Sequence, residues 1–129
     1  MVLPSVIKGG VHVDARGALR FCNDFDMTPV KRFYTISNSP GQPVRGWIGH
    51  RKETKWFLPL KGVTTIKVAP MFGSADSATL FELSASSPTI VRIPGGNWFC
   101  IEQHDDAEVM VFSDCRIGEY ENDDLRKPL

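Results

Sequence analysis

The sequence predicts an all-β domain of jelly-roll type, and three features carry that expectation. Between Val6 and Val111 the apolar runs are short and rich in Val, Ile, Thr, Phe and Trp, residues that suit a pleated, half-buried surface. Gly, Pro, Asn or Asp interrupts them at intervals of about ten residues, the spacing of strand-and-turn units in sandwiches and barrels. No stretch repeats and no linker or charge block divides the chain, so its 129 residues read as one domain, 1–129.

Strands are expected near residues 6–13, 19–21, 30–36, 44–48, 54–60, 64–68, 79–83, 89–93, 98–101 and 108–112. The turn signals between them are chemically specific: Asp14 to Gly17, Ser37 to Gly41, Gly62, Pro70 to Ser77, Ser84 to Pro88, and Pro94-Gly95-Gly96-Asn97. About ten strands imply two sheets, and hairpins closing into a jelly-roll barrel satisfy that. The end differs. Residues 119–127 are highly charged, with Tyr120 and Leu125 as apolar anchors, which predicts a short C-terminal helix or loose tail outside the barrel.

Fifteen Lys and Arg balance fifteen Asp and Glu, so no global field favours nucleic acid or an anionic membrane, and neither is an expected partner. Any anion must meet a local basic patch. Cys22, Cys100 and Cys115 are an odd number without paired spacing, which argues for a reducing compartment over a disulfide framework. The first eight residues are too short and weakly apolar for a signal sequence, and no run is long enough to span a bilayer. The expected location is the cytoplasm.

Arg45-Gly46-Trp47-Ile48-Gly49-His50, followed by Glu53 and closed by Gly62, resembles the first conserved motif of the cupin superfamily. In its metal-binding form, two histidines two apart on a strand point the same way into the barrel, as a period of two requires. Here Ile48 holds the first of those positions. The second cupin motif fits Pro94-Gly95-Gly96-Asn97-Trp98-Phe99, with phenylalanine at the ligand position. With two histidine ligands missing, neither a His₃ nor a 2-His-1-carboxylate site can be assembled, and no metal is expected. Taken alone, His50 reads first as a polar barrel-lining residue hydrogen-bonded to a neighbour.

A further set of residues covers most of the chain: Asp14-x-Arg16-Gly17-x-Leu19, Val30-Lys31-Arg32-x-Tyr34, Arg45-Gly46-Trp47-x-x-His50, Trp98 after the proline-glycine turn, and Ser113-Asp114 before the acidic tail. Their order and spacing resemble the nucleotide-sugar 3,4-ketoisomerase branch of the cupins, relatives of the dTDP-4-dehydrorhamnose 3,5-epimerases. The resemblance implies movement of a carbonyl between C4 and C3 of a dTDP-linked 6-deoxyhexose through an enediol, in making surface polysaccharide or a modified sugar. It also implies a homodimer. Such a reaction needs a base, an acid and fixed donors for developing charge, but no redox cofactor, so none is expected.

The family's His-x-His pair corresponds to Ile48 and His50, so this chain keeps one histidine of two. His50 would then act as base and acid in turn, and Tyr34 would donate to the keto oxygen. Arg45 and Arg32 are the expected diphosphate contacts, because guanidinium forks match phosphate oxygens. Arg51, Lys52 and Lys55 lie in the same two strand regions, and for Lys52 and Lys55 a solvated strand face is the plainer expectation. Trp98 and Trp47 are candidate stacking surfaces, whereas large aromatics such as Trp56 are usually core. Asp14 and Arg16 read as an ion pair within a turn, and His12 and His104 as surface residues.

Two other functions stand beside the isomerase. A cupin that has lost catalysis and binds a nucleotide sugar would explain Ile48 and Phe99. A 3,5-epimerase shares the barrel, but takes its base from the position of Ile48, which speaks against it.

Overall fold

The computed structural model describes residues 3–72 and 77–129; the turn expected at 70–77 therefore lies partly outside the described residues. In chain order the strands are β1 (Ser5–Lys8), β2 (Gly10–Asp14), β3 (Gly17–Phe21), β4 (Arg32–Ile36), β5 (Val44–His50) and β6 (Lys55–Lys61). There follow β7 (Val63–Pro70), β8 (Thr79–Ser84), β9 (Thr89–Ile93), β10 (Asn97–Gln103), β11 (Glu108–Ser113) and β12 (Leu125–Arg126). Two five-stranded sheets run β1-β9-β6-β11-β4 and β12-β5-β10-β7-β8, and β2 pairs only with β3. The pairings are antiparallel. This is the all-β jelly-roll arrangement that the punctuation predicts.

The inner faces of the two sheets meet over one core. Phe57, Val91, Val109 and Val111 come from the first sheet and Ile66, Val68, Phe99 and Ile101 from the second, all almost fully buried. Tyr34 and Ile48 pack against them. On the outer face of the first sheet, Trp56, Ile90 and Phe112 are covered by Phe25, whose ring centroid is 5.2 Å from that of Phe112. Both faces of β6 are thus apolar over much of its length, so polarity alone does not show which side chains point inward.

Register settles the question. Lys55 stands opposite Ile93 on one side and Ser113 on the other, placing it on the inner face, two residues before Phe57. His50 ends β5 opposite Asn97, at the same end of the barrel. Between β5 and β10 the register slips: Ile48 faces Phe99 and Arg45 faces Ile101, so β5 uses one more residue than its partner. Gly46 sits at that slip with φ 139°, and a Cβ there would stand 2.9 Å from the Cys100 Cα. Only glycine suits both constraints.

Two expectations are corrected. The segment expected at 6–13 is two strands interrupted at Gly9, whose N–H donates to the Pro88 carbonyl. The C-terminal segment is neither a helix nor a tail outside the barrel. Leu125 pairs with Gly49 and Arg126 with Ile48, while Lys127 and Trp47 exchange main-chain hydrogen bonds in both directions. The reason is that β5 would otherwise be a bare sheet edge with unpaired main-chain groups.

Gly46→Ala should therefore lower the free energy of unfolding by about 2 kcal/mol or more, with the urea midpoint falling at unchanged slope. A variant as stable as the wild type would show that β5 can relax away from Cys100.

Candidate active site

The turn between β5 and β6 carries the site, and the C-terminal segment organises it. The Asp123 carboxylate accepts from the main-chain N–H groups of Arg51 at 2.7 Å, Lys52 at 3.1 and 3.2 Å, and Glu53 at 2.9 Å. Three successive donors in a tight turn are thereby satisfied by one buried acid. The main-chain carbonyl of the same residue lies 2.8 Å from Nδ1 of His50. A carbonyl only accepts, so Nδ1 carries the proton and the lone pair of the neutral ring stands on Nε2. That Nε2 is buried and has no hydrogen-bond partner among the described residues.

Burial and the neighbouring charge of Lys55 push the pKa of His50 below its ordinary value of 6.5, against the opposing pull of Glu53 and the Asp123 carbonyl. The ring is held towards its neutral form, with the lone pair on a buried Nε2.

Glu53 is also buried and binds the cations of the site. Its Oε2 accepts from Ser113 Oγ at 2.6 Å and from Arg32 at 3.3 Å, and lies 3.7 Å from Nζ of Lys55. Lys55 is only 8% exposed. It donates to the Tyr34 hydroxyl at 2.8 Å and lies 5.8 Å from the centre of the Phe99 ring. Arg32 reaches the Cys115 carbonyl at 3.0 Å and lies 5.1 Å from the centre of the Tyr34 ring. Arg32, His50, Glu53 and Lys55 line a cavity of about 210 Å³, closed on the other side by parts of segment 115–126. A larger cavity of about 540 Å³, lined by Leu3, Val68, Phe72 and Gly95 among others, has no titratable side chain among its described lining residues. The smaller one has the means for proton transfer.

Of the residues singled out in the sequence, His50, Tyr34 and Arg32 come together here. Arg45 does not. It lies at the other end of β5, exposed, with its Nε donating to Asn38 Oδ1 at 2.7 Å. Trp98 lies opposite Gly49 and alternates with the inward Asn97 and Phe99, so it faces away from the core. Lys127 Nζ stands 4.8 Å from the Trp98 ring centre and 5.4 Å from that of Trp47, which marks a separate aromatic and basic surface. Ile48 and Phe99 face each other within the apolar core.

Lys55 corrects the expectation of a solvated face: its register carries it inward, and Glu53 and Tyr34 offset its burial. Glu53, Ser113 and Asp123 complete a site that the sequence left without roles for them. Because β6 is apolar on both faces, alternation alone does not indicate Lys55, and no sequence signal brings Asp123 seventy residues back to the β5–β6 turn.

His50, Glu53 and Asp123 offer ligand atoms within 4.8 Å of one another. They do not fit a cation site. Both Asp123 oxygens are taken by main-chain donors and Nδ1 of His50 by a carbonyl, so only Nε2 of His50 and Oε1 of Glu53 stay open, fewer than the three protein ligands such a site needs, and Arg32 and Lys55 already supply positive charge.

The histidine makes stability pH-dependent in a defined direction. Because its folded pKa lies below 6.5, the unfolded chain takes up a proton as pH falls through 6.5 while the folded chain does not. Stability should drop across that window, and His50→Asn should flatten this part of the profile in urea unfolding between pH 7.5 and 5.5. An unchanged slope in the variant would contradict the burial of a neutral His50.

The fold and site define a small jelly-roll barrel with a cluster of charged and polar side chains at one mouth. Residues 5–128 match the family described as FdtA, WxcM-like, C-terminal, and the chain belongs to that family. Comparison with curated protein sequences finds no match. Among solved structures, the chain is similar to QdtA, a sugar 3,4-ketoisomerase from Thermoanaerobacterium thermosaccharolyticum crystallised with TDP. The TM-score is 0.75 at 22% identity, covering 96% of this chain and 88% of that one. A 3,4-ketoisomerase from Helicobacter canadensis gives 0.76 at 17% identity, over 96% and 90% of the two chains. ChmJ, a 3'-monoepimerase from Streptomyces bikiniensis in complex with dTDP-quinovose, gives 0.76 at 17%, over 88% and 64%. These likenesses show a shared fold.

Proposed function

We propose that this protein is an isomerase of a dTDP-linked 4-keto-6-deoxyhexose, exchanging the C4 carbonyl for one at C3, in surface-polysaccharide or modified-sugar biosynthesis. The observation that carries this reading is the fixed tautomer of His50, with a free Nε2 lone pair, in a cavity lining shared with Arg32 and Lys55, both of which contact Tyr34 just behind it. Family membership and the ligands of the similar structures support the substrate class.

Nε2 of His50 removes the proton from C3, and the C3–H electron pair forms the C3=C4 bond of the enediol. The carbonyl pair moves to O4, which takes the proton of Tyr34. His50 then returns its proton to C4, and the hydroxyl on C3 gives its proton to the Tyr34 phenolate as the new carbonyl forms. The sum is redox-neutral, so no cofactor takes part. One histidine is enough because both carbon protons can move on one face of the sugar.

Arg32 is the diphosphate contact in this reading. It stands at the mouth with part of its guanidinium unused by Glu53 and Cys115. Arg45, Trp47 and Trp98 contribute nothing to this cavity. The protein works without a metal, in the cytoplasm, as a homodimer. Support for the homodimer is the β2–β3 hairpin, which pairs with no other described strand and exposes Val11, Val13 and Leu19.

A second reading, a nucleotide-sugar binder without turnover, is favoured by one observation: Ile48 and Phe99 form an apolar wall beside His50, with the Phe99 ring centre 6.1 Å from that of the imidazole.

Incubation with dTDP-4-keto-6-deoxyglucose in deuterated water, followed by NMR, separates the two. The isomerase reading predicts a 3-keto product, with solvent deuterium at C4 only to the extent that the proton held on His50 exchanges before its return, and label at C5 would instead indicate an epimerase. Binding with neither a 3-keto product nor label would establish the second reading. His50→Asn should reduce turnover by about 10² or more with folding intact, and Arg32→Ala should weaken dTDP binding by about 1.5–3 kcal/mol in calorimetry. The acid limb of kcat/KM should lie below pH 6.5, because burial keeps the His50 base neutral there. A limb above 6.5 would contradict that assignment.

A further inference from the structure

The sequence leaves Lys55 on a solvated face, and the family resemblance gives it no part. The structure buries it in the barrel mouth. Its ammonium has one short contact, to the Tyr34 hydroxyl at 2.8 Å, and stands farther, 3.7 Å, from the Glu53 carboxylate. Phe99 flanks it at 5.8 Å, and its neighbours across the sheet are Ile93 on β9 and Ser113 on β11, both buried. Such a cation costs stability to desolvate. A Gln or Met would fill much of the same space without that cost.

We propose that Lys55 is a positioning residue for the proton transfers at oxygen: it holds Tyr34 as a hydrogen-bond acceptor, so that the tyrosine proton is directed to substrate and the phenolate left behind stays paired with the ammonium. The proposal rests on the isomerase reading above. In the first half-reaction the Tyr34 O–H bond breaks and an O–H bond forms at O4 of the sugar, leaving a phenolate beside Lys55. In the second, the hydroxyl on C3 returns a proton to Tyr34 while His50 delivers its own to C4. No proton is lost or gained over the cycle, and no outside reactant is required.

The arrangement supplies what the missing histidine at Ile48 does not. His50 moves the carbon proton and Tyr34 the oxygen proton, and the ammonium compensates for the charge that appears between these steps. A charge fixed in place by burial and by its contacts needs little reorganisation at the moment of reaction. Glu53, bound to Ser113 and Arg32, limits the positions open to Lys55 and keeps it on Tyr34.

The test compares Lys55→Met and Lys55→Gln with the wild type on dTDP-4-keto-6-deoxyglucose, reading kcat, KM, deuterium entry into the sugar and dTDP affinity. Lys61→Met, at the exposed far end of β6, is the control and should leave all four unchanged. Lys55→Met should lower kcat and deuterium entry together by about 10² to 10³, while KM and dTDP affinity change less than about threefold. Lys55→Gln keeps a donor for Tyr34 without charge and should recover no more than about a tenth of wild-type kcat.

If the Met variant does not fold, the Gln variant, with its polar end still able to meet Tyr34, carries the test alone. Wild-type kcat in either variant would overturn the proposal and leave the isomerase reading intact, and so would a loss confined to KM. A wild-type protein that neither turns over nor labels the sugar would overturn the isomerase reading itself, and the role of Lys55 with it.

Discussion

The clasp of Asp123 on the β5–β6 turn is the interaction on which the rest of the site depends. One carboxylate satisfies the N–H groups of residues 51, 52 and 53, and the carbonyl of the same residue fixes the His50 ring. Without it the turn would bury unpaired donors and the imidazole could adopt either tautomer. Because β12 adds to β5 immediately afterwards, the clasp is held by the sheet rather than by a free tail. Edge protection and site construction are thus the same structural event.

From that anchor the charges fall into place. The turn delivers Glu53 inward, Glu53 gathers Arg32 and Lys55, and Lys55 reaches Tyr34 on the far strand of the same sheet. Arg32, Lys55, Arg116 and Arg126 against Glu53, Asp123 and Asp124 leave the described cavity lining with one net positive charge although the chain carries none. Neutral His50 is compatible with this because burial and Lys55 both disfavour its protonation.

The strand pattern was legible because it rests on local chemistry: β-branched and aromatic runs, and turn residues at definite places. The inner position of His50 followed from its motif, and Tyr34 and Arg32 from the resemblance. Lys55 was hidden because β6 is apolar on both faces, Phe57 inside and Trp56 outside, so alternation did not expose its direction. Arg45 lies apart from His50 because a one-residue slip at Gly46 and the length of β5 separate them, and the slip is not visible in a motif. Asp123 was beyond reach for another reason. Its role depends on a long-range return of the C-terminal segment, and a charged stretch with two apolar anchors looks the same whether it docks or drifts.

The central claim is that His50 is a neutral base with its proton on Nδ1 and a free lone pair on Nε2. Nitrogen-15 correlation NMR of the imidazole at neutral pH tests it most directly, since the two ring nitrogens have distinct shifts in each protonation state. The account predicts a neutral ring, protonated at Nδ1, that remains neutral as the pH is taken below 6.5. An imidazolium at neutral pH, or a neutral ring protonated at Nε2, would contradict it.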